Sequence, residues 1–188
     1  MKDLKSELPS VIDGCIKNDR KQQRRLHELF YGKLFAICMR YTRDEDFAQD
    51  ILQRAFIKIF DNIKKFEQKG SLEGWMKRIV VNTCIDTYRK KKKDLLFLGE
   101  DHDIENLDLE NETDEGMNFP YQPKQVFEAI QQLTPAYKAV FNLYAIEDYT
   151  HKEIADMLDI SVGTSKSNYL KAKLRIKKIL KENYGDYE

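Results

Sequence analysis

Apolar residues recur along this chain at intervals of three and four, and strand-like alternation is almost absent. The pattern predicts an all-α protein. From Gln22 to Tyr41, the residues Leu26, Leu29, Phe30, Leu34, Ile37 and Tyr41 keep helical spacing. A second helix is predicted from Asp44 to Phe66, where Ala48, Ile51, Leu52, Ala55, Phe56, Ile59, Phe60 and Ile63 form an unbroken stripe. A third opens at Ser71, a good N-cap after the Lys69-Gly70 break. It carries Leu72, Trp75, Met76, Ile79 and Val80 as its apolar side, so Trp75 is expected in the core. Three amphipathic helices of this length can close a bundle.

The pattern fails between Asp94 and Pro123, where "DLLFLGEDHDIENLDLENETDEGMNFPYQP" is acidic and without sustained periodicity. Such a composition reads as a flexible linker. Helical spacing resumes at Lys124. Val126, Ile130 and Leu133 lead to Thr134-Pro135, and Tyr137, Val140, Phe141 and Tyr144 follow a proline in the first turn. Two short helices come after Asp148-Tyr149-Thr150. The expected organisation is therefore two small helical domains, 1–93 and 124–188, joined by an acidic linker at 94–123.

Charge sharpens this division. The chain of 188 residues is neutral overall, yet 1–93 carries a net +9, 94–123 has ten acids and no base, and 124–188 sums to +1. Seven Lys and Arg, and no acid, lie between Ser161 and Lys181. Such asymmetry points to a polyanionic partner for the basic parts. No apolar run approaches a membrane span and the N-terminus lacks an apolar signal core, so a cytoplasmic protein is expected. Cys15, Cys38 and Cys84 are scattered through apolar surroundings and read as reduced, buried thiols. With no CxxC, no Cys/His cluster and no HExxH, neither a metal site nor a cofactor is expected. An enzyme is not expected either. Asp44, Glu45 and Asp46 are adjacent and diverge on a helix, and His27, His102 and His151 fall in three separate segments.

The stretch "HKEIADMLDISVGTSKSNYLKAKLRIKKIL" carries the most specific local pattern. Ile154 and Leu158 face inward on a first helix, and Ala155 is small enough for a second helix to cross closely. Asp159-Ile160-Ser161 is a short turn, and Ser161 caps the second helix. There Val162, Ser165, Tyr169, Ala172, Ile176 and Ile179 form the inward stripe. The opposite face carries Gly163, Thr164, Ser167, Asn168, Lys171, Arg175 and Lys178. This is a helix-turn-helix, with small polar groups where base edges would lie and cations further along for phosphates.

"KEIADMLDISVGTSKS" resembles the C-terminal helix-turn-helix of bacterial RNA polymerase sigma factors of the extracytoplasmic-function group. "DEDFAQDILQRAFIKIFDNIKKF" and "GSLEGWMKRIVVNTCIDTYRKKKK" resemble region 2 of the same family, in the family's order and spacing. The resemblance implies an alternative sigma factor that binds core polymerase and directs promoter-specific initiation. Region 2 would bind the clamp helices of the beta-prime subunit and the melted minus-ten element. Region 4 would read the minus-thirty-five duplex and touch the beta flap. The linker would enter the product channel, and an anti-sigma factor is a further implied partner. Carried onto this sequence, polymerase contacts fall on Asp50, Gln53, Arg54, Ile57 and Asp61. Minus-ten contacts fall on Lys77, Arg78, Asn82, Asp86 and Arg89, with the loop Phe66 to Ser71 completing a base pocket. Minus-thirty-five contacts fall on Gly163, Thr164, Lys166, Ser167, Asn168, Lys171 and Arg175.

The residues leave some alternatives open. Ile57, a β-branched apolar side chain on a polar face, fits an interface anchor or an ordinary exposed residue. Trp75 fits base stacking as well as core packing. Asp86 fits DNA contact or pairing with Arg89 or Lys90. The linker's carboxylates fit a cationic channel, a plain spacer, or a mask over the chain's own basic helices. A conventional helix-turn-helix regulator would need a dimer seam or sensing pocket, and neither is visible. The chain also departs from the family pattern. Arg54 stands where Glu is usual, Asp159 where Gly is usual, Ser165 where Val is common and Asn168 where Arg is common.

Overall fold

The structure, a computed structural model of the chain, describes residues 4–67, 70–97 and 121–185. All regular elements among them are helical. They divide into two compact units, Met1–Asp86 and Thr87–Glu188.

The first unit is built from α1 (Leu4–Ile16), α2 (Arg20–Tyr41), α3 (Glu45–Asn62) with a closing 3₁₀ turn at Ile63–Lys65, and most of α4 (Leu72–Phe97). The sequence pattern located the last three and missed α1. Pro9 lies inside it, and proline removes an intrahelical hydrogen bond and breaks propensity arguments. Its helical signal is the short set Val11, Ile12 and Cys15, all buried. A Cβ on Gly14 would collide with the Gln22 side chain, so this glycine permits the close approach of α1 and α2. Arg25 donates two hydrogen bonds to Glu7, at 2.6 and 3.0 Å, across the same seam. That bond raises the Arg25 pKa further, but the pair is solvated and adds little to stability.

α2 packs against both α1 and α3. Leu26, Phe30, Leu34, Ile37 and Cys38 from α2 meet Ala48, Ile51, Leu52, Ala55, Phe56 and Ile59 from α3. Asp19 and Asp44 cap α2 and α3, accepting from Lys21 N–H at 2.8 Å and Phe47 N–H at 3.0 Å. Ser71 does the same for α4, accepting from Gly74 N–H at 3.0 Å. All three cysteines are buried and free. Burial and the nearby Asp19 carboxylate push the Cys15 thiol up to about 11, which keeps it protonated and unreactive.

On α4 the buried stripe differs from the expected one. Leu72, Met76, Val80, Val81, Thr83, Cys84 and Ile85 are buried, whereas Trp75 and Ile79 are only partly buried. A Met76-centred face serves the core as well as a Trp75-centred one on a helix this rich in apolar residues, and packing selects the former. α4 also runs on to Phe97, so the segment read as linker begins within a helix. Nothing from Lys90 to Phe97 breaks a helix, and the first glycine comes at Gly99. Positions 98–120, the bulk of the expected linker, lie outside the described residues.

The second unit holds α5 (Pro123–Gln131), α6 (Pro135–Phe141), a π turn at Asn142–Ile146, α7 (His151–Leu158) and α8 (Val162–Tyr184). Proline stands at the first position of both α5 and α6. Thr150 and Glu153 form a reciprocal capping box that starts α7. Asp159 ends α7 in the left-handed region, with φ 55°, and the Ile160 N–H donates to the Ala155 carbonyl at 3.1 Å. α8 packs on α5, α6 and α7. Two lysines, Lys138 and Lys173, are buried here, which the pattern did not anticipate. Lys138 Nζ donates to the Gln131 carbonyl at 3.1 Å and Oε1 at 3.2 Å, and Lys173 lies over the Tyr169 ring at 5.6 Å. None of the described helices is long and apolar enough to cross a membrane.

Candidate nucleic-acid interface

In the first unit, α3 turns one face to the core and the other to solvent. Gln53, Arg54, Ile57 and Asp61 are exposed on the latter, with Asp50 at its edge. Ile57 is 61% exposed, the most of any large hydrophobic residue described. Arg54 Nη2 lies 2.7 Å from Asp50 Oδ2, one turn earlier. The unusual arginine is thus held on the helix surface by a neighbour whose charge it offsets.

Two clefts flank Trp75. One, of about 400 Å³, is lined by Lys65, Phe66, Glu67, Gly70, Ser71, Gly74, Trp75 and Arg78. The other, of about 340 Å³, is lined by Lys58, Asn62, Lys65, Trp75, Ile79 and Asn82. Phe66 meets the Trp75 ring at 5.6 Å and 46°, which fixes the wall between them. The walls thus combine aromatic faces with Lys, Arg and Asn, groups that stack on bases and pair with phosphates and base edges. Phe66, Gly70 and Ser71 line the first cleft and Asn82 the second. Trp75, expected in the core, lines both clefts together with Lys65, and its partial burial follows from the shifted core stripe of α4.

Asp86 lies beside these clefts, and its partner is neither Arg89 nor Lys90. Lys58 Nζ donates to it at 2.9 Å, with both side chains about half exposed, which ties α3 to α4. Arg78 and Asn82 are exposed and make no hydrogen bond or ion pair with another described residue. Lys77 is half-buried on the same helix, and Arg89 falls beyond the division between the units.

In the second unit, Ser161 caps α8, accepting from Thr164 N–H at 2.9 Å, as the pattern predicted. Ser165, Tyr169, Ala172, Ile176 and Ile179 are buried as expected. Val162 is not. It is 41% exposed, at the first position of α8. Gly163, Thr164 and Lys166 are exposed, and Ser167, Asn168, Lys171 and Arg175 are half-exposed along the same side. Thr164 Oγ1 lies 2.9 Å from Ser161 Oγ, and Ser167 Oγ donates to the Thr164 carbonyl at 3.1 Å. Two of the small polar groups are therefore engaged within the helix start. Lys166, Asn168 and Lys171 make no hydrogen bond or ion pair with another described residue. The result is a capped helix whose outer side offers donors to an anion or a base edge.

The Sigma-70 region 2 family profile matches residues 26–94 and the Sigma-70, region 4 profile matches residues 124–176. The chain belongs to the sigma-70 family of RNA polymerase sigma factors. It is similar to ECF RNA polymerase sigma factor SigW of Bacillus subtilis, at 27% identity over 173 residues, covering 88% of this chain and 92% of that protein. Similarity to RNA polymerase sigma factor SigV of the same organism is also 27%, over 168 residues, covering 89% of this chain and 90% of that protein. Among solved structures, the sigma factor RpoE in complex with the anti-sigma factor NepR from Bartonella quintana aligns at 19% identity. It covers 85% of this chain and 97% of that one, with a TM-score of 0.49.

As an extracytoplasmic-function member of the sigma-70 family, the chain is an alternative sigma factor, a promoter-specific initiation factor with no catalytic role of its own. Both clefts and the α3 face lie within or beside the region 2 match, and the outer side of α8 lies within the region 4 match. Sequence reasoning missed Lys58, Asn62 and Lys65 as cleft residues. Their signal is weak, because polar residues on an amphipathic helix look alike until a neighbouring helix turns some of them into walls.

Proposed function

We infer that this sigma factor divides its work between three surfaces. The exposed side of α3, with Ile57 amid Asp50, Gln53, Arg54 and Asp61, docks on the clamp helices of the beta-prime subunit of core polymerase. The α4 side, with Lys77, Arg78, Asn82 and Arg89 and with Asp86 bonded to Lys58 behind them, takes the minus-ten element as a melted strand. The outer side of α8, from Gly163 to Arg175, enters the minus-thirty-five duplex, and the second unit also meets the beta flap. The observation that carries this reading is the pair of clefts around Trp75. Stacking surface, cations and an amide converge there, and together they offer a splayed base both a ring and a hydrogen-bonding group.

Asp86 acts in this reading by holding Lys58 at the cleft mouth rather than by meeting DNA, since a carboxylate repels the phosphate backbone. The acidic segment 94–123 follows the path of the transcript in the polymerase channel. An anti-sigma factor holds the protein inactive until a signal releases it, and the protein works in the cytoplasm.

In vitro transcription with purified core polymerase on a promoter library tests the whole proposal. Initiation from a subset of promoters sharing two spaced elements is expected. Transcription no different from core polymerase alone would remove it. Trp75→Ala is expected to impair strand opening more than closed-complex binding, measured by permanganate footprinting. An equal loss of both would take the indole out of the strand-binding role.

A further inference from the structure

Ser165 is fully buried in α8, on the side that faces α7. An apolar residue would fill this place without an obligation to bond, whereas a buried hydroxyl needs a partner. The partner is His151, whose Nδ1 lies 3.0 Å from Ser165 Oγ. His151 is the first residue of α7, immediately after the Thr150 cap.

The imidazole is held from a further side. Its ring stacks on Tyr144 of the π turn at 4.2 Å and 10°. Tyr144 in turn meets Tyr169 of α8 at 4.5 Å and 53°. The contacts close a circuit, from Tyr144 to His151 to Ser165 and, one turn along α8, from Tyr169 back to Tyr144. α8 is thus tied at two successive turns to one rigid aromatic block.

We propose that His151 and Ser165 are positioning residues that fix the rotation and register of α8, and so determine base discrimination at the minus-thirty-five element without touching DNA. The proposal rests on the reading of α8 as the helix that enters the duplex. Its physical basis is the difference between a directional bond and an apolar contact. Two apolar surfaces slide over one another at little cost, while a hydrogen bond holds donor and acceptor to a narrow range of distance and angle. Thr164, Lys166, Ser167 and Asn168 flank Ser165 in sequence and lie on the outward side. A rotation of α8 released at Ser165 therefore moves all four relative to the base edges. Phosphate contacts by flexible lysine chains absorb such a shift, and base contacts by short side chains do not.

The test uses holoenzyme reconstituted from the full chain and core polymerase. It reads initiation on a preferred promoter and on single-base variants of its minus-thirty-five element. His151→Phe keeps the ring stack and removes Nδ1, Ser165→Ala removes the hydroxyl, and His151→Asn places an amide where Nδ1 was. Each of the first two is expected to lower the matched-to-mismatched ratio at least roughly fivefold, the small end of what one base contact supplies. The double variant should be no worse than either single one, because the pair acts as a unit. His151→Asn should recover most of the ratio. Initiation from a pre-melted template without the upstream element should stay within about twofold of wild type, which separates positioning from loss of fold. If His151→Phe does not fold, Ser165→Ala, which deletes one oxygen, decides by the same ratio. Single variants that fold and discriminate as wild type does, or losses that multiply in the double variant, would overturn the proposal. A wild-type chain that directs no initiation at all would instead remove the reading of α8 on which it stands, and the proposal with it.

Discussion

Ile57→Asp separates interface from core more cleanly than any other change in the first unit. The side chain is 61% exposed on α3. Burying a whole isoleucine side chain is worth about 1.5–3 kcal/mol, so covering the exposed part on docking yields about 1–2 kcal/mol. An aspartate forfeits that and adds a carboxylate that must be desolvated. The loss of polymerase affinity should therefore reach at least about 2 kcal/mol, or roughly thirtyfold in Kd. The free protein should barely notice. The buried part of the side chain accounts for no more than about 1 kcal/mol, and isoleucine and aspartate have similar helix propensities. The new charge sits three residues after Arg54 and four before Asp61, an attraction and a repulsion of about 0.2–0.5 kcal/mol each that nearly cancel. Affinity is read by fluorescence titration of labelled protein with core polymerase, and fold by a circular dichroism melt. Normal affinity in a variant with an unchanged melt would remove Ile57 from the interface. A variant that unfolds would show that the residue serves the fold instead.

Three further outcomes are expected. Lys171→Ala should weaken promoter binding by the holoenzyme almost equally on matched and mismatched minus-thirty-five sequences and make the salt slope shallower by about one unit, whereas Asn168→Ala should cost about 1–3 kcal/mol on the preferred sequence alone. Uniform loss for Asn168→Ala together with relaxed discrimination for Lys171→Ala would mean that α8 lies in the groove the other way. Replacing the acids of 100–115 by Asn and Gln at constant length should lower initiation at physiological salt while polymerase affinity holds, and unchanged initiation would leave that segment as a spacer. Ser161→Ala removes the acceptor of the Thr164 N–H and should destabilise the second unit by about 1 kcal/mol in a thermal melt; an unchanged melt would show that the short turn starts α8 without the cap.

The sequence alone determined much of this protein. Period-three-and-four stripes marked α2, α3 and the buried side of α8, and Asp44, Ser71 and Ser161 marked helix starts, because an amphipathic helix and its cap are local in their causes. The ordered resemblance of three stretches located the family, and each stretch falls within a matched region. Tertiary structure decided what depends on a neighbour. α1 was hidden by Pro9 and became visible only through its seam with α2. Trp75 is only partly buried because α4 carries enough apolar residues to bury either of two faces, and the Met76 face is the one the core takes. Val162, the first residue of α8, turned out 41% exposed although it continues the inward stripe. Asp86 found Lys58, 28 residues away, rather than a base on its own helix. Ser165 read as a break in an apolar stripe until His151, 14 residues earlier, was brought to its hydroxyl. A stripe records which residues avoid water. It carries no information about which of several adequate faces a second helix will cover, because that choice is made by the fit of two surfaces and not by either one.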